Sequence, residues 1–520
     1  MPRLMPDTIG LSVQNRIRPM TRTARTSDLM WLRLFRRFDG RASTLQGQLR
    51  DMLVHALMEG HLAPGAALPS SRLLARQLGL SRTTVTLALQ ALADKGLITA
   101  RPRSGCFAGE QIAPFAGARQ RAAAPAATAG VGWRQRLQLR PTAQRNIEKP
   151  GDWQQQPYPF IYGQFDASLF PFRDWRACAL ESLQARSVRR WAPDQIDRDD
   201  DALVDQIHRR LLPARGIWAD RDEILVTSGA QQATFLLATL LIGPATHVGI
   251  ESPGYPDARN NFALRTAHVH ALRVDAVGLT LGAALSRCDY VYVTPSHQCP
   301  TTVTLPLARR HALLERAARD DFIVIEDDHE SELNFSGQPT PALKSLDTGQ
   351  RVLYLGSLSK TLAHGLRLGF VVAPAELIRE LRALRRLMLR HIAGNNQQAA
   401  ASFIAHGHHE AYLHRLNSVY RDRAAALRAA LGRHAPTLAA APTQGGSALW
   451  ASAPRHVDTR RLAERLYRQG VVVEPGDVFY PGSTPPRNRL RIGYSSIALE
   501  RIDEGVKLIA RELARCGTAG

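Results

Sequence analysis

The sequence predicts two folded domains of different class. A small helical unit closed by a β-hairpin comes first, followed by an α/β domain with a largely parallel sheet and a smaller α+β C-terminal lobe. Three observations predict this. At 520 residues the chain is too long for one ordinary core. Residues 122–130 are almost entirely Ala, Pro, Thr and Gly, a linker composition that cannot build a core. From residue 157 onward, short apolar runs alternate with helical periods, which is the pattern of strand–helix–strand units.

Composition narrows the class. Hydrophobic residues make up 44% and charged residues 22%, as in globular chains. The formal net charge is +21 and is unevenly placed. Residues 1–150 hold 23 Lys/Arg against 8 Asp/Glu, whereas the remainder holds 44 against 38. Such an excess in one segment is expected where that segment meets a polyanion. Five scattered cysteines form no CxxC pair and no Cys/His cluster in the sequence, which argues against a structural zinc site and against a disulfide framework, so no metal is expected, and fits a reducing cytoplasm. No apolar run approaches the roughly 18 residues that span a bilayer. Residues 1–40 are read as a loose basic extension, within which Met20 offers an alternative start.

Residues 41–109 form the first domain. Ser43 and Gln46 have capping-box spacing, and Leu45, Leu49, Met52, Leu53, Ala56 and Leu57 follow at helical period. Pro64, Gly65 and Pro69 mark a turn. Ser70 caps a short helix with Leu73, Leu74 and Leu78 inward, closed by Gly79. Ser81 caps a third helix carrying Val85, Ala88, Leu89 and Leu92, closed by Gly96. Residues 97–100 and 106–108 flank a basic hairpin tip with Arg101 and Arg103. Three helices and a basic hairpin make a winged helix-turn-helix.

The second helix of a helix-turn-helix unit enters the major groove, and its first residues reach base edges and phosphates. Here that start is Ser81, Arg82, Thr83 and Thr84. It supplies one bidentate donor and three hydroxyls beside free helix N–H groups suited to phosphate. Ser70, Ser71 and Arg72 form a second such start, and Arg50, Arg101 and Arg103 add cations. Leu62-Ala63-Pro64-Gly65, the run from Leu68 through Val85, and Gly96 through Phe107 resemble the GntR-superfamily head, which implies a double-stranded DNA operator as partner.

Residues 110–156 are read as linker and 157–515 as the second domain. Buried-type strands are expected at 224–227, 247–250, 290–294, 322–325, 352–355 and 368–372, with 471–473 and 490–492 in the smaller lobe. The chemistry gathers at strand ends. Ser357-Leu358-Ser359-Lys360-Thr361 follows one strand, and Arg367 lies seven residues beyond Lys360. A lysine wrapped in hydroxyls suits a Schiff base to a cofactor whose phosphate needs donors. Ser228-Gly229-Ala230 joins a strand to a helix as a phosphate cradle. Glu326, Asp327 and Asp328 end a further strand, where a carboxylate can hold a pyridine nitrogen protonated. Tyr255 ends another and supplies a stacking aromatic. Strand carboxyl ends are where open α/β sheets bind ligands.

With Thr294 through Thr301, these segments resemble the fold-type I, PLP-dependent aminotransferase domain of MocR-type regulators. The resemblance implies that Lys360 carries pyridoxal 5'-phosphate and that Asp327 meets its ring nitrogen. Ser228, Gly229, Ala230, Ser357, Ser359 and Arg367 would surround its phosphate, and Tyr255 would stack on its ring. It also implies that Arg491 grips an effector carboxylate and that the protein is a homodimer. Two departures stand out. His329 occupies the place of a family tyrosine, whose hydroxyl would meet the cofactor's phenolic oxygen, and Thr302 replaces a glycine.

Three functions compete, of which a DNA-binding module with an inert body is the least favoured because the lysine, the aspartate and the phosphate loop all remain. Another is a transcriptional regulator whose PLP-bound domain senses an amine, an amino acid or PLP itself. The third is a working aminotransferase with a regulatory head. The complete head, the basic charge concentrated there and His329 favour the regulator.

Overall fold

The computed structural model describes residues 26–38, 44–102, 104–109, 132–164, 166–335, 340–441 and 443–517. It divides into two compact units, 1–136 and 137–520. Among the described residues no helix is long and apolar enough to cross a membrane.

In the first unit, helices α1 (Thr26–Arg36), α2 (Leu45–Met58), α3 (Ser71–Leu78) and α4 (Arg82–Asp94) precede a hairpin of β1 (Ile98–Arg101) and β2 (Gly105–Ala108). Arg101 pairs with Gly105 at the hairpin's end; Arg103, expected at its tip, lies outside the described residues. Ser70 and Ser81 cap α3 and α4, accepting from Leu73 N at 3.3 Å and Thr84 N at 3.0 Å. The cap of α2 is Thr44, whose Oγ1 accepts from Gly47 N at 3.1 Å. This corrects the expected Ser43, which also lies outside the described residues. Gly79 closes α3 at φ +68°, a left-handed conformation that strains any side chain.

The expectation of a loose extension over 1–40 needs correction. Trp31, Leu34, Phe35 and Phe38 of α1 and its end are buried in one cluster with Leu49, Met52, Leu53 and Leu74. Their spacing places them on one helical face, and buried Gln48 Nε2 donates to Phe35 O at 3.2 Å. The apolar stripe is worth more than the arginines between its members, which point outward.

The second unit is built on an eight-stranded sheet. In chain order its strands are β3 (Ile224–Thr227), β4 (Val248–Ser252), β5 (Val269–Asp275), β6 (Gly278–Leu279), β7 (Tyr290–Val293), β8 (Ile323–Asp327), β9 (Val352–Ser357) and β10 (Gly369–Val372). Their spatial order is β3-β10-β9-β8-β7-β4-β5-β6. The central pairs β9–β8, β8–β7, β7–β4 and β4–β5 are parallel, while β10 and β6 run antiparallel to their neighbours. Seven of the eight are buried at all or all but one of their residues, as expected of strands covered on both faces. The sequence pattern misses β5, whose alternation of polar and apolar residues reflects its place near the sheet edge.

Helix α5 (Phe172–Ser182) precedes the sheet, and α6 (Ala230–Leu241) follows β3. Helices α7 (Gly394–Ala405) and α8 (His408–His434) lead to the smaller lobe. That lobe carries an antiparallel sheet of β11 (Ala439–Ala440), β12 (Ala448–Ser452), β13 (Glu474–Pro475) and β14 (Arg489–Gly493), ordered β11-β12-β14-β13. The expected strand at 471–473 instead pairs Val471–Val472 in parallel with Tyr158–Pro159.

The linker expected over 110–156 ends earlier than its composition suggests. Arg145 Nη2 donates to Asp477 Oδ2 at 2.9 Å, and Gln144 Nε2 donates to Asn260 O at 3.0 Å. Residues from 137 onward therefore belong to the second unit.

The packing of α1 carries a test. Trp31→Ala should lower head stability by about 3–5 kcal/mol, read as a lower midpoint of denaturant unfolding; an unchanged midpoint would remove α1 from the core.

Candidate DNA-binding face and cofactor cavity

The first turn of α4 presents Arg82 and Thr83 to solvent, while Ser81 Oγ is engaged as the cap and lies 2.8 Å from Thr84 Oγ1. Arg72 is exposed in the first turn of α3, with Ser71 half-buried beside it and Ser70 as cap. The N–H groups of such first turns have no intrahelical partner and point at an approaching anion. Arg101 stands over the Phe107 ring, 4.6 Å from its centroid, and this fixes a cation on the hairpin. Arg50 pairs with Asp51 at 2.8 Å, so a phosphate would have to compete with a carboxylate for it.

In the second unit, the carboxyl ends of the strands open into a cavity of about 220 Å³. Of the residues singled out from sequence, Ala230, Tyr255, Asp327, His329, Ser357, Ser359, Lys360 and Arg367 line it. Ser228 and Gly229 stand at its rim, where Arg367 Nη2 donates to Ser228 O at 2.9 Å. Gly229 has φ +80°, and a Cβ there would lie 2.9 Å from Arg367 Nη2. The backbone conformation thus favours glycine, and a side chain there would also push the guanidinium off the start of α6.

The two aspartates at the end of β8 divide their work. Buried Asp328 turns away from the cavity, accepting from Arg215 Nε at 2.7 Å and Tyr354 OH at 2.9 Å, and also from Ser296. Burial opposes its ionisation, but Arg215 and these hydrogen bonds outweigh it and hold the carboxyl below its usual range. Asp327 faces the cavity. Its Oδ2 accepts from Tyr292 OH, and its buried Oδ1 has no hydrogen-bond partner. His329 Nδ1 lies 3.6 Å from that free oxygen. Burial opposes the charged imidazole, yet the Asp327 carboxylate overcomes this and raises the ring above its ordinary value.

Lys360 is packed with its Nζ 4.4 Å from the Tyr162 ring centroid. Burial lowers its amine below the usual value; Glu330 opposes the shift and Arg491 adds to it. Gly163 has φ +57°, which disfavours any side chain, and a Cβ there would crowd this Nζ.

Arg491 is fully buried and lies outside the cavity lining. Its Nε pairs with Glu474 Oε2 at 2.9 Å, and its Cζ lies 4.0 Å from the Tyr162 centroid. Tyr255 OH donates to Asp257 Oδ2 at 2.9 Å, which orients its ring.

Sequence reasoning missed several lining residues: Lys149, Tyr162, Gln164, Gln231, Cys299 and His364. Lys149 was hidden in the supposed linker. Burial pushes its amine down to about 8, with Glu474 opposing and Lys360 and Arg491 reinforcing. His364 is pushed down to about 3 by burial and the surrounding Lys360, Lys149 and Arg367. The cavity therefore concentrates cations around one carboxylate with a free oxygen, an environment for an anionic molecule with a basic ring nitrogen. A pyridoxal phosphate fits these donors.

Residues 45–108 match the bacterial regulatory proteins of the gntR family, and residues 165–509 match aminotransferase class I and II. Fold and site together define a helix-turn-helix regulator with an aminotransferase-type body. The chain is 42% identical over 474 residues to the HTH-type transcriptional regulator TauR of Rhodobacter capsulatus, covering 91% of this chain and 97% of that protein. It is 29% identical over 476 residues to the probable rhizopine catabolism regulatory protein MocR of Rhizobium meliloti, covering 88% and 92%. It belongs to the MocR-type transcriptional regulators. The α-aminoadipate aminotransferase LysN of Thermus thermophilus, complexed with N-(5'-phosphopyridoxyl)-L-leucine, superposes with a TM-score of 0.67 at 26% identity, over 75% of this chain and 100% of that one.

Removing one partner of the buried Arg215–Asp328 pair leaves an uncompensated charge. Arg215→Met should cost about 3–5 kcal/mol of stability, measured by thermal or denaturant unfolding; a neutral result would mean that Asp328 is not held ionised.

Proposed function

We propose that this regulator binds pyridoxal 5'-phosphate on Lys360 and reads, through that site, a small amine carrying an acidic group. The observation that carries the proposal is one cavity joining three features in a chain with a DNA-binding head. These are a lysine amine held below its ordinary pKa, a buried carboxylate with an unpartnered oxygen, and a helix start roofed by Arg367. When bound, the cofactor supplies an aldehyde that exchanges amines and an electron-withdrawing ring.

The chain's own residues take distinct parts. Lys360, more readily neutral than a surface lysine, is the nucleophile toward that aldehyde. Asp327 Oδ1 would accept from the protonated ring nitrogen, and Tyr255 would cover a ring face. Ser228, Gly229, Ala230, Ser357, Ser359 and Arg367 would hold the phosphate through helix N–H groups, hydroxyls and one guanidinium. Lys149, beside the Arg491–Glu474 pair, gives the effector's acidic group a cation. His329 sits where a tyrosine is usual in the group the chain resembles, and its imidazole leans on Asp327. This arrangement suits sensing better than turnover. Two copies related by a twofold axis would place two heads on paired half-sites, and release of the effector would reset them through its differential affinity for the two arrangements.

The purified chain should show the visible absorbance of lysine-bound PLP, lost in Lys360→Ala. It should protect an operator with two half-sites upstream of its own or an adjacent gene. Arg82→Ala should weaken that protection by about 1–3 kcal/mol. An acidic amine that shifts both the absorbance and the operator affinity supports the reading. Sustained keto-acid formation with operator affinity unchanged would replace it with an enzyme.

A further inference from the structure

Away from the cofactor cavity, three soft or borderline ligands from separate elements converge. Cys178 lies on α5, His406 caps the C-terminus of α7, and His408 opens α8. One ligand atom from each lies within 4.8 Å of the other two. Tetrahedral zinc, with bonds of about 2.0–2.3 Å, needs ligand separations of roughly 3.3–3.7 Å, so closure requires inward movement of only about an ångström. The exposed His406 and half-buried His408 can turn to make that movement, while buried Cys178 is fixed by its helix. We propose that Cys178, His406 and His408 form a zinc(II) site.

The surroundings suit a metal ligand set. Ser402 Oγ lies 3.4 Å from His406 Nδ1 and donates to Glu181 Oε2 at 2.5 Å. This is a hydroxyl–carboxylate relay behind an imidazole, the kind of support that orients ligating histidines. A cleft of about 180 Å³ reaches His406 beside Glu181 and Ser402, and the fourth ligand would be water or the Glu181 carboxylate. The end of α7 and the start of α8 meet here with opposite dipole ends, so the helix dipoles give an ion no net help. Cys178 would lose its proton on binding, as every thiolate ligand does.

The site is joined to the cofactor lysine by covalent and hydrogen-bonded links. His409, next to His408, has Nε2 3.2 Å from Thr361 Oγ1, and Thr361 follows Lys360. An ion at the start of α8 would therefore pin the backbone that supports Lys360.

Tag-free full-length protein, freed of metal with chelator, should take up Co(II) at this site. The Co(II)-minus-Zn(II) difference spectrum, in which any cofactor absorbance cancels, should show tetrahedral bands and a thiolate charge-transfer band. Cys178→Ser should abolish the thiolate band, and His406→Ala, a surface change, should weaken Zn(II) affinity by about tenfold or more. His247→Ala should leave both readouts unchanged; it disrupts the separate stack of His247, His268 and His270. Absence of stoichiometric uptake would overturn the proposal. So would an octahedral spectrum without a thiolate band, or affinity lost in His247→Ala and kept in His406→Ala.

Discussion

The opposite orientation of Asp327 and Asp328 is the constraint on which the rest of the body depends. Side chains alternate along a strand, so two successive carboxylates at its end cannot face the same way. One had to be buried in the protein and the other given to the cavity. Arg215 makes this tolerable by taking Asp328 into a buried ion pair with Tyr354 and Ser296 as additional donors. The pair links the segment before β3, the loop after β7 and strands β8 and β9, and this holds the cavity floor at fixed depth. Asp327 is then presented with one oxygen satisfied by Tyr292 and the other open.

A second organising feature is the excess of cationic groups around that floor. Burial chiefly lowers Lys149 and His364, and the neighbouring cations Lys360, Arg491 and Arg367 add to the displacement. Such a cluster is costly to maintain empty and favours an anionic occupant. Glu474 tempers it on one side by engaging Arg491 and lying 4.0 Å from Lys149. The same economy operates in the head, where helix starts and the Arg101–Phe107 stack concentrate positive charge on features that project from a small apolar core.

Much of this was legible in the sequence, for physical reasons that differ by region. The buried strands of the parallel sheet are continuous apolar runs, and turns rich in hydroxyls and glycine follow them, so Lys360, Asp327 and Ser228 stand out by position alone. The caps of α3 and α4 are local interactions over three residues and were equally plain. Helix α1 was hidden by its arginines, although Trp31, Leu34, Phe35 and Phe38 already carry the i, i+3, i+4, i+7 spacing of an inward face. Lys149, Tyr162 and Gln164 reach the cavity from a stretch with no period. Only long-range bonds such as Arg145 to Asp477 place it there. The pairing of Arg491 with Glu474 joins two strands 17 residues apart, beyond any local signal.

The central claim is that the cavity carries pyridoxal phosphate on one particular lysine, and two lysines line it. Borohydride reduction of the purified protein, followed by peptide mass spectrometry, discriminates between them directly. A phosphopyridoxyl adduct is expected on the peptide containing Lys360, with Lys149 unmodified. An adduct on Lys149, or none on either, would contradict the claim.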